Sequence, residues 1–352
     1  MLKAHFKKHT LQFKKPSGTS RGVLMDKDSW FIIVYDLENP TKKGIGECSI
    51  IRKLSVDDRP DFESKLQEVL NDINDTTYWL EEGLKAFPSI RFGLETALLD
   101  LNATAPQILF PSAFTSGEKS IPINGLIWMG DVEHMYRQMK EKVSAGFDCI
   151  KLKIGAINFE DELMLLKKIR NEFSDHELEL RVDANGAFTP GEALEKLKRL
   201  SEYQLHSIEQ PIKQGQWREM ADLCEISPIP IALDEELIGL TEKHEIENML
   251  ETIRPQFIIL KPGLIGGLKQ SEVLIKEAEL RQVGWWITSA LESNIGLNAI
   301  AQWTYNLKTD MYQGLGTGQL FENNVPSPLY IENAALHYGN QNAWNLNALL
   351  NE

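Results

Sequence analysis

CIKLKIG (Cys149–Gly155) is the first of five short apolar stretches that each lead into charged residues. The other four are ELRVDANG (Glu179–Gly186), LHSIEQP (Leu205–Pro211), IPIALDE (Ile229–Glu235) and FIILKPG (Phe257–Gly263). Their terminal charges lie 25 to 30 residues apart, which is the length of one strand, one helix and two short loops. The spacing therefore predicts consecutive βα units, whose terminal charges meet at the carboxyl ends of parallel strands.

The same pattern continues on both sides of this region. Ile121–Trp128 predicts a strand upstream, and Gly284–Ser293 and Asp310–Gly318 predict two strands downstream. No helical pattern follows the last of these, so the strands number eight and the intervening helices seven. The predicted fold is an α/β protein with a (β/α)7β TIM-type barrel over residues 116–319.

The residues before the barrel predict a separate domain. Its predicted elements are the strands Ala4–Lys14, Trp30–Leu37 and Lys43–Ser49 and the helices Pro60–Asp75 and Pro88–Leu101. The strands carry apolar runs, and both helices are amphipathic with proline at the start, as is typical of helix N-termini. We expect an N-terminal α+β capping domain over residues 1–115, completed by the C-terminal tail at about 320–352.

A stretch rich in Gly, Ser and Pro separates the first two strands. This composition predicts that Pro16–Asp28 is a loop. Long loops in compact domains often cover or bind ligands, and a plain hairpin connection is the alternative. Arg21 in this stretch is a candidate to bind a substrate carboxylate, with a solvated surface arginine as the alternative.

Composition excludes several functional classes. Of 352 residues, 42% are apolar and 25% charged, which suits a folded protein with a large core. The formal charge of −14 argues against a nucleic-acid or anionic-membrane partner. No apolar run is long enough for a membrane span or a signal peptide, and the three cysteines suit neither a zinc site nor a disulfide framework. We expect a cytoplasmic protein and leave its oligomeric state open.

Three carboxylates from successive strands predict a metal site. Asp183, Glu209 and Asp234 end the third, fourth and fifth strands and should lie side by side on one rim. Hard divalent ions prefer oxygen ligands, so Mg²⁺ is the expected cofactor, with Mn²⁺ possible in its place. A small carboxylate substrate bound there has its charge neutralised, which makes its α-proton easier to remove.

Lysines flank these carboxylates on both sides. Lys151 and Lys153 are two residues apart on a strand, so their side chains share a face. Lys261 ends the sixth strand and should stand across the barrel, which lets one amine reach each face of a bound α-carbon. The positive charge of Lys151 favours the neutral form of a neighbouring amine, which can then take a proton.

Two neutral residues are candidates for contact with the substrate. Asn185 lies two residues after Asp183, on the same face of the strand. Ser289 lies at the end of the seventh strand, where its hydroxyl can bond to the substrate or satisfy a backbone group at the barrel end.

Taken in order, the charged motifs resemble the enolase superfamily, in its muconate-lactonizing subgroup. The matching motifs are KLK (Lys151–Lys153), DAN (Asp183–Asn185), EQP (Glu209–Pro211), DE (Asp234–Glu235), KPG (Lys261–Gly263) and GIGEC (Gly44–Cys48). The resemblance covers nearly the whole chain. It implies that the three carboxylates bind magnesium, that Lys153 removes the α-proton and that Lys261 stays charged and stabilises the developing negative charge.

The resemblance also narrows the reaction. Dipeptide epimerases of this subgroup carry Asp-x-Asp on the eighth strand, whereas Gly314–Thr317 reads GLGT. The stretches around Arg21, Ser289–Ser293 and Gly314–Asn324 resemble o-succinylbenzoate synthases of menaquinone-making bacteria. They imply syn dehydration of 2-succinyl-6-hydroxy-2,4-cyclohexadiene-1-carboxylate. An N-acylamino acid racemase or dipeptide epimerase with the same lysine pair is the alternative. A non-catalytic magnesium-binding protein would not need two opposed lysines.

Overall fold

The computed structural model describes residues 1–19, 22–339 and 343–350. Its N-terminal part is an antiparallel sheet with one face covered by helices. The sheet consists of β1 (Leu2–Thr19), β2 (Gly22–Asp36) and β3 (Asn39–Ser49), in that order. The helices are α1 (Phe62–Asn71), α2 (Thr76–Tyr78) with a following π-helical turn (Trp79–Gly83), and α3 (Pro88–Asn102). Alternate residues of β2, such as Trp30, Ile32 and Val34, are buried against α1 and α3, which gives this part its own core.

The predicted loop at Pro16–Asp28 is wrong. In the described residues of this stretch, β1 reaches Thr19 and β2 begins at Gly22. The two strands pair as a hairpin, with Ser17 opposite Leu24. The pairing shifts register between Gln12 and Ser17, so the proline falls in an irregular stretch where its missing N–H costs the ladder little. Pairing between adjacent strands thus overrides a loop-like composition. Arg21 lies outside the described residues, and its contact with substrate stays a prediction.

The second part is a parallel barrel. Its strands are β5 (Gly125–Ile127), β6 (Cys149–Lys153), β7 (Glu179–Asp183), β8 (Ser207–Glu209), β9 (Ile231–Leu233), β10 (Phe257–Leu260) and β11 (Gly284–Ile287), hydrogen-bonded in this order. Parallel bridges from Gln313 to Ile123 and from Gly314 to Thr288 supply a short eighth strand that closes the ring. The structure therefore has the predicted eight-stranded architecture.

Seven helical segments follow the first seven barrel strands. They are α4 (Val132–Ser144), α5 (Phe159–Glu172), α6 (Pro190–Ser201), α7 (Trp217–Ile226), α8 (Lys243–Ile253), α9 (Pro262–Ile265) with α10 (Leu268–Leu280), and α11 (Asn294–Leu307). A 3-10 turn (Glu235–Leu237) precedes α8. The strands are buried on both faces, as parallel strands under a helical layer must be.

The first and eighth barrel strands are shorter than predicted. In the apolar run Ile121–Trp128, β4 (Ile121–Pro122) leaves the barrel and pairs antiparallel with β13 (Ala335–Tyr338). Only β5 lies in the parallel sheet. In Asp310–Gly318 the strand pairing is limited to the two bridges, and a 3-10 turn begins at Thr317. An apolar run alone does not reveal a partner strand 200 residues away in the chain.

The C-terminal tail returns to the N-terminal sheet. It contains β12 (Leu329–Glu332), β13 and α12 (Asn347–Leu350). Phe321 bridges Phe13 of β1, and Leu349 packs with Phe31 and Ile33 of β2. These contacts support our proposal that residues 320–352 complete a capping domain formed mainly by residues 1–115. No helix within the described residues is long and apolar enough to cross a membrane.

Gly46 allows α3 to pack directly on β3, and its replacement tests this packing. A Cβ atom at residue 46 would lie 2.0 Å from the carbonyl oxygen of Gly93 and 2.6 Å from the nitrogen of Ala97. Both contacts are with helix backbone, which cannot rotate away. We expect Gly46→Ala to lower the free energy of unfolding by about 3 kcal/mol, the upper end for overpacking. Chemical denaturation measures it.

Gly191 in α6 provides the matched control. A Cβ atom there would meet nothing within 4 Å, and alanine has a better helix propensity than glycine. Gly191→Ala should leave stability unchanged or raise it slightly. Equal unfolding midpoints for the two variants would contradict close packing at Gly46.

Candidate active site

The predicted site residues meet at one end of the barrel because of strand register. Lys153 is directly opposite Asp183, and Asp183 is directly opposite Glu209 in the parallel ladder. Side chains opposite each other in such a ladder point to the same face. Asp234 follows β9 and Lys261 follows β10, so five consecutive strand ends supply one cluster.

Each carboxylate of this cluster contacts a lysine amine. The Lys151 amine contacts Asp183 Oδ2 at 2.9 Å and also donates to Glu209. The Lys153 amine donates to Asp183 Oδ2 at 2.6 Å and to Asn185 Oδ1 at 2.8 Å. The structure thus brings four predicted site residues at the ends of β6 and β7 into one network with Glu209 of β8.

Lys261 holds the other side of the cluster. Its amine donates to Asp234 and lies 3.8 Å from Glu209 Oε1. Asn185 extends the network in a second direction, because its Nδ2 donates to Glu235 Oε1 at 3.1 Å. Three strands, β7 to β9, separate β6 from β10 in the sheet order, so the two catalytic candidates approach from different sides of the ring.

Burial makes the charges in this cluster interdependent. Asp183 is 0% and Lys151 7% exposed. Burial alone would lower the pKa of Lys151, but the carboxylates of Asp183 and Glu209 outweigh it and raise the pKa. Burial alone would raise the pKa of Asp183, but the neighbouring lysines, first Lys151, lower it well below its usual range. This pair is therefore ionised on both sides.

Glu209 differs from Asp183 although it also contacts Lys151. Burial and then the negative charge of Asp183 raise the pKa of Glu209 to about 8. Asp183, Glu209, Asp234 and Glu235 together outnumber the three lysine amines, so one carboxyl group lacks a compensating charge. Glu209 lies between Asp183 and Asp234 in strand order. Its carboxyl group is therefore the one whose negative charge is least compensated by the lysines.

This excess charge is what makes the cluster fit a divalent cation. Glu209 Oε1 has no hydrogen-bond partner among the described residues. With the amines in their present positions, no three acidic, histidine or cysteine side chains in the described ranges are grouped to hold a metal ion. The donors are nevertheless the hard oxygen ligands that Mg²⁺ prefers. Amine groups must shift from carboxylate oxygens for an ion to bind.

A cavity of about 440 Å³ opens over these amines. Its wall includes Lys151, Lys153 and Lys261 from the barrel, Leu24 from β2 and Ile51 from the segment that follows β3. The hairpin that replaced the predicted loop therefore forms part of the cavity wall. A space of this size suits a small organic substrate enclosed between the two parts of the chain.

Ser289 lines this cavity and is held by residues that the sequence did not single out. Its hydroxyl donates to Glu292 and accepts a bond of 2.7 Å from Thr317, another cavity residue. Glu292 is fully buried and also accepts from the backbone nitrogen of Ala290. A Cβ atom at Gly263 would lie 2.7 Å from Glu292 Oε1, so a larger residue there would displace this carboxylate. The acid in SALES and the glycine in KPG are sequence signals from which this contact could have been found, but the sequence analysis did not predict it.

The family described as enolase C-terminal domain-like matches residues 134–340. The chain belongs to the enolase superfamily. The predicted fold class and family are therefore confirmed. Within this superfamily, the chain is 46% identical to an o-succinylbenzoate synthase of Desulfotalea psychrophila, over 95% of this chain and 98% of that protein.

Solved structures of superfamily members agree with this result. MenC from Desulfotalea psychrophila is 43% identical and superposes with a TM-score of 0.84, covering 96% of this chain and 99% of that one. Muconate lactonizing enzyme from Pseudomonas putida superposes with a TM-score of 0.80 over 98% of this chain and 95% of that one. At 21% identity this second likeness concerns the fold alone.

Glu292 should stabilise the turn that carries Ser289, and two substitutions separate its charge from its hydrogen bonds. Glu292→Ala leaves the Ser289 hydroxyl and the Ala290 nitrogen without their acceptor. We expect a loss of about 2–3 kcal/mol in the free energy of unfolding, because buried donors lose a partner. Glu292→Gln keeps an acceptor oxygen and should lose much less. Equal denaturation midpoints for both variants and the wild type would refute the role of this carboxylate.

Proposed function

We propose that this protein catalyses the magnesium-dependent syn dehydration of 2-succinyl-6-hydroxy-2,4-cyclohexadiene-1-carboxylate to o-succinylbenzoate, a step of menaquinone biosynthesis. The observation that carries this proposal is 46% identity to an o-succinylbenzoate synthase over nearly the full length of both chains. Ultraviolet detection of the aromatic product, beside assays with dipeptides and N-acylamino acids, tests it directly. Turnover of the last two classes without dehydration would contradict it.

The eighth strand supports this substrate over a dipeptide. Gly314 and Gly316 line the cavity where an acid would be needed to hold a substrate ammonium group. A Cβ atom at Gly314 would lie 2.5 Å from Thr288 Oγ1, so no larger side chain fits there without displacement. A neutral wall at this position suits a carbocyclic dicarboxylate.

We propose that Asp183, Glu209 and Asp234 would hold magnesium, or manganese in its place. When bound, the ion supplies positive charge that neutralises the substrate carboxylate and makes the adjacent proton more acidic. Asn185 orients the Lys153 amine through its Oδ1 atom. Lys151 contacts Asp183 and Glu209 in the structure, and its amine would contribute positive charge near the bound carboxylate.

The two lysines at the cavity floor take different roles in this proposal. Lys153 removes the α-proton. Lys261 stays protonated and stabilises negative charge on the substrate. Its contact with Asp234 supports that role, because the carboxylates of Asp234 and Glu209 raise the pKa of Lys261 against the effect of burial. In a syn elimination the proton and the hydroxyl group leave from one face. Lys153 can therefore take the α-proton and return it to the departing hydroxyl group, which leaves as water.

The expected setting of this enzyme follows from composition and burial. We propose a cytoplasmic location, which the three buried free cysteines support because reduced thiols persist there. The partner is a small carboxylate rather than nucleic acid or a membrane surface.

Asp234→Asn tests the metal assignment. The amide keeps the shape but removes one anionic ligand, so we expect Mg²⁺ affinity to fall about tenfold or more and dehydration to be nearly abolished. Isothermal titration with Mg²⁺ measures affinity without substrate. Asp222→Asn on the exposed face of α7 is the control and should change neither value. Wild-type Mg²⁺ affinity in Asp234→Asn, with the fold retained, would reject this ligand.

The division of labour between the lysines is tested with a substrate analogue whose hydroxyl group is replaced by hydrogen. Such an analogue can exchange its α-proton in deuterium oxide but cannot eliminate. We expect Lys153→Ala to abolish exchange, measured by proton NMR. Lys261→Ala should slow exchange by about 10²–10³, the typical effect of losing one electrostatic donor.

The same experiment distinguishes dehydration from racemisation. Both variants should fail as dehydratases, because both amines contact the cluster that binds the substrate. Exchange that survives in Lys153→Ala but vanishes in Lys261→Ala would reverse the assignment. Racemisation of the analogue by the wild type, lost in each single variant, would instead favour the two-base chemistry of a racemase.

A further inference from the structure

The cavity over the active site extends through a seam in the barrel wall. Backbone hydrogen bonds join the first and eighth strands at Asn124 and Gln313. After Asn124 the chain continues as β5, which pairs with β6 on one side. On its other side, no backbone hydrogen bond among the described residues connects β5 to the eighth strand. Gly314 and Gly316 have no side chains to fill the gap, and both line the cavity.

Lys142 of α4 lies where the cavity passes this seam. It lines the cavity together with the apolar residues Leu126, Phe147 and Ile331. Its side chain is half-buried, and its amine lies 5.0 Å from the centre of the Phe147 ring. The amine makes no hydrogen bond or ion pair with any residue that the structure describes.

The other cations around the cavity each have a counter-ion or are solvated by water. Lys151, Lys153 and Lys261 are paired with the carboxylate cluster. Arg52 is paired with Asp28 at 3.1 Å. Lys53 is exposed to water, which solvates its charge. Lys142 therefore combines partial burial with the lack of a counter-ion.

This combination is unfavourable in the unliganded protein. Removing an ammonium group from water costs free energy unless an anion or hydrogen-bond acceptor replaces the water. Burial lowers the pKa of Lys142, and Glu141 opposes this effect only in part. The ring of Phe147 offers a weak cation–π contact. An anionic group in the cavity would satisfy the amine more fully.

We propose that Lys142 binds the succinyl carboxylate of the substrate and thereby selects for a dicarboxylate. This inference rests on the proposed function, which places the ring carboxylate at the metal site. The second carboxylate then has no assigned partner among the described residues, because Arg21 lies outside them. The apolar wall of Leu126, Phe147 and Ile331 accommodates the methylene groups between the ring and that carboxylate. An acylated amino acid without a terminal carboxylate would gain nothing from this contact.

Binding of the product tests the proposal independently of turnover. The ligands are o-succinylbenzoate and o-butyrylbenzoate, which lacks only the distal carboxylate, titrated into the Mg²⁺-loaded protein. We expect Lys142→Met to weaken o-succinylbenzoate about tenfold, as for loss of a partly solvated charge-assisted bond. Its affinity for o-butyrylbenzoate should stay within about twofold. In turnover, the effect should appear mainly in KM.

Two further variants serve as controls. One tests the general effect of removing a positive charge from α4, and the other tests Lys53, the remaining cation at the cavity that has no counter-ion among the described residues. Lys140→Met removes a lysine from the same helix that is paired with Glu172 and should change neither affinity. Lys53→Met should also leave o-succinylbenzoate binding unchanged. A loss in Lys53→Met rather than in Lys142→Met would place the distal carboxylate under the capping domain and overturn the proposal.

Other outcomes are equally decisive. If Lys142→Met weakens both ligands alike, the side chain has only a packing role and the proposal fails. If it weakens neither, the proposal also fails while dehydration by the wild type still supports the proposed function. A wild type that neither dehydrates the cyclohexadiene nor binds o-succinylbenzoate overturns the proposed function and this inference with it.

Discussion

The charge balance of the buried cluster at the carboxyl ends of the barrel strands constrains the active site. Isolated ions at such a depth would cost several kcal/mol each, so the lysines and carboxylates must contact one another. Lys151 is shared between Asp183 and Glu209, and Lys261 between Asp234 and Glu209. The pairs cannot neutralise every carboxyl group, and the remaining charge makes the site receptive to a cation.

The residues at the centre of this cluster could be predicted from sequence because strand geometry places them. A strand fixes side-chain direction with a period of two, and a βα unit fixes the distance to the next strand end. Lys151 and Lys153 therefore had to face Asp183, whatever the details of the helices between them. The seam was less predictable, because β4 finds its partner only in β13, at the far end of the chain.

The interface between the capping domain and the barrel also depends on polar contacts that no local sequence pattern predicts. Glu47 in the GIGEC motif accepts bonds from Ser29 of the capping sheet, from the backbone and hydroxyl of Ser293, and from the nitrogen of Gly296. Glu47 is completely buried and caps the start of α11. The sequence identified the motif through its resemblance, but the partner residues follow only from the tertiary fold.

The neutral eighth strand connects fold and specificity. It is the shortest part of the ring, and its glycines leave space that side chains fill elsewhere in the barrel. An acid at Gly314 would have to displace Thr288, and its charge would lie beside a cluster that already has excess carboxyl groups. Without an acid there, the cavity loses a partner for an ammonium group and gains room for a carbon ring. The short eighth strand thus leaves the cavity wall beside the carboxylate cluster open and uncharged.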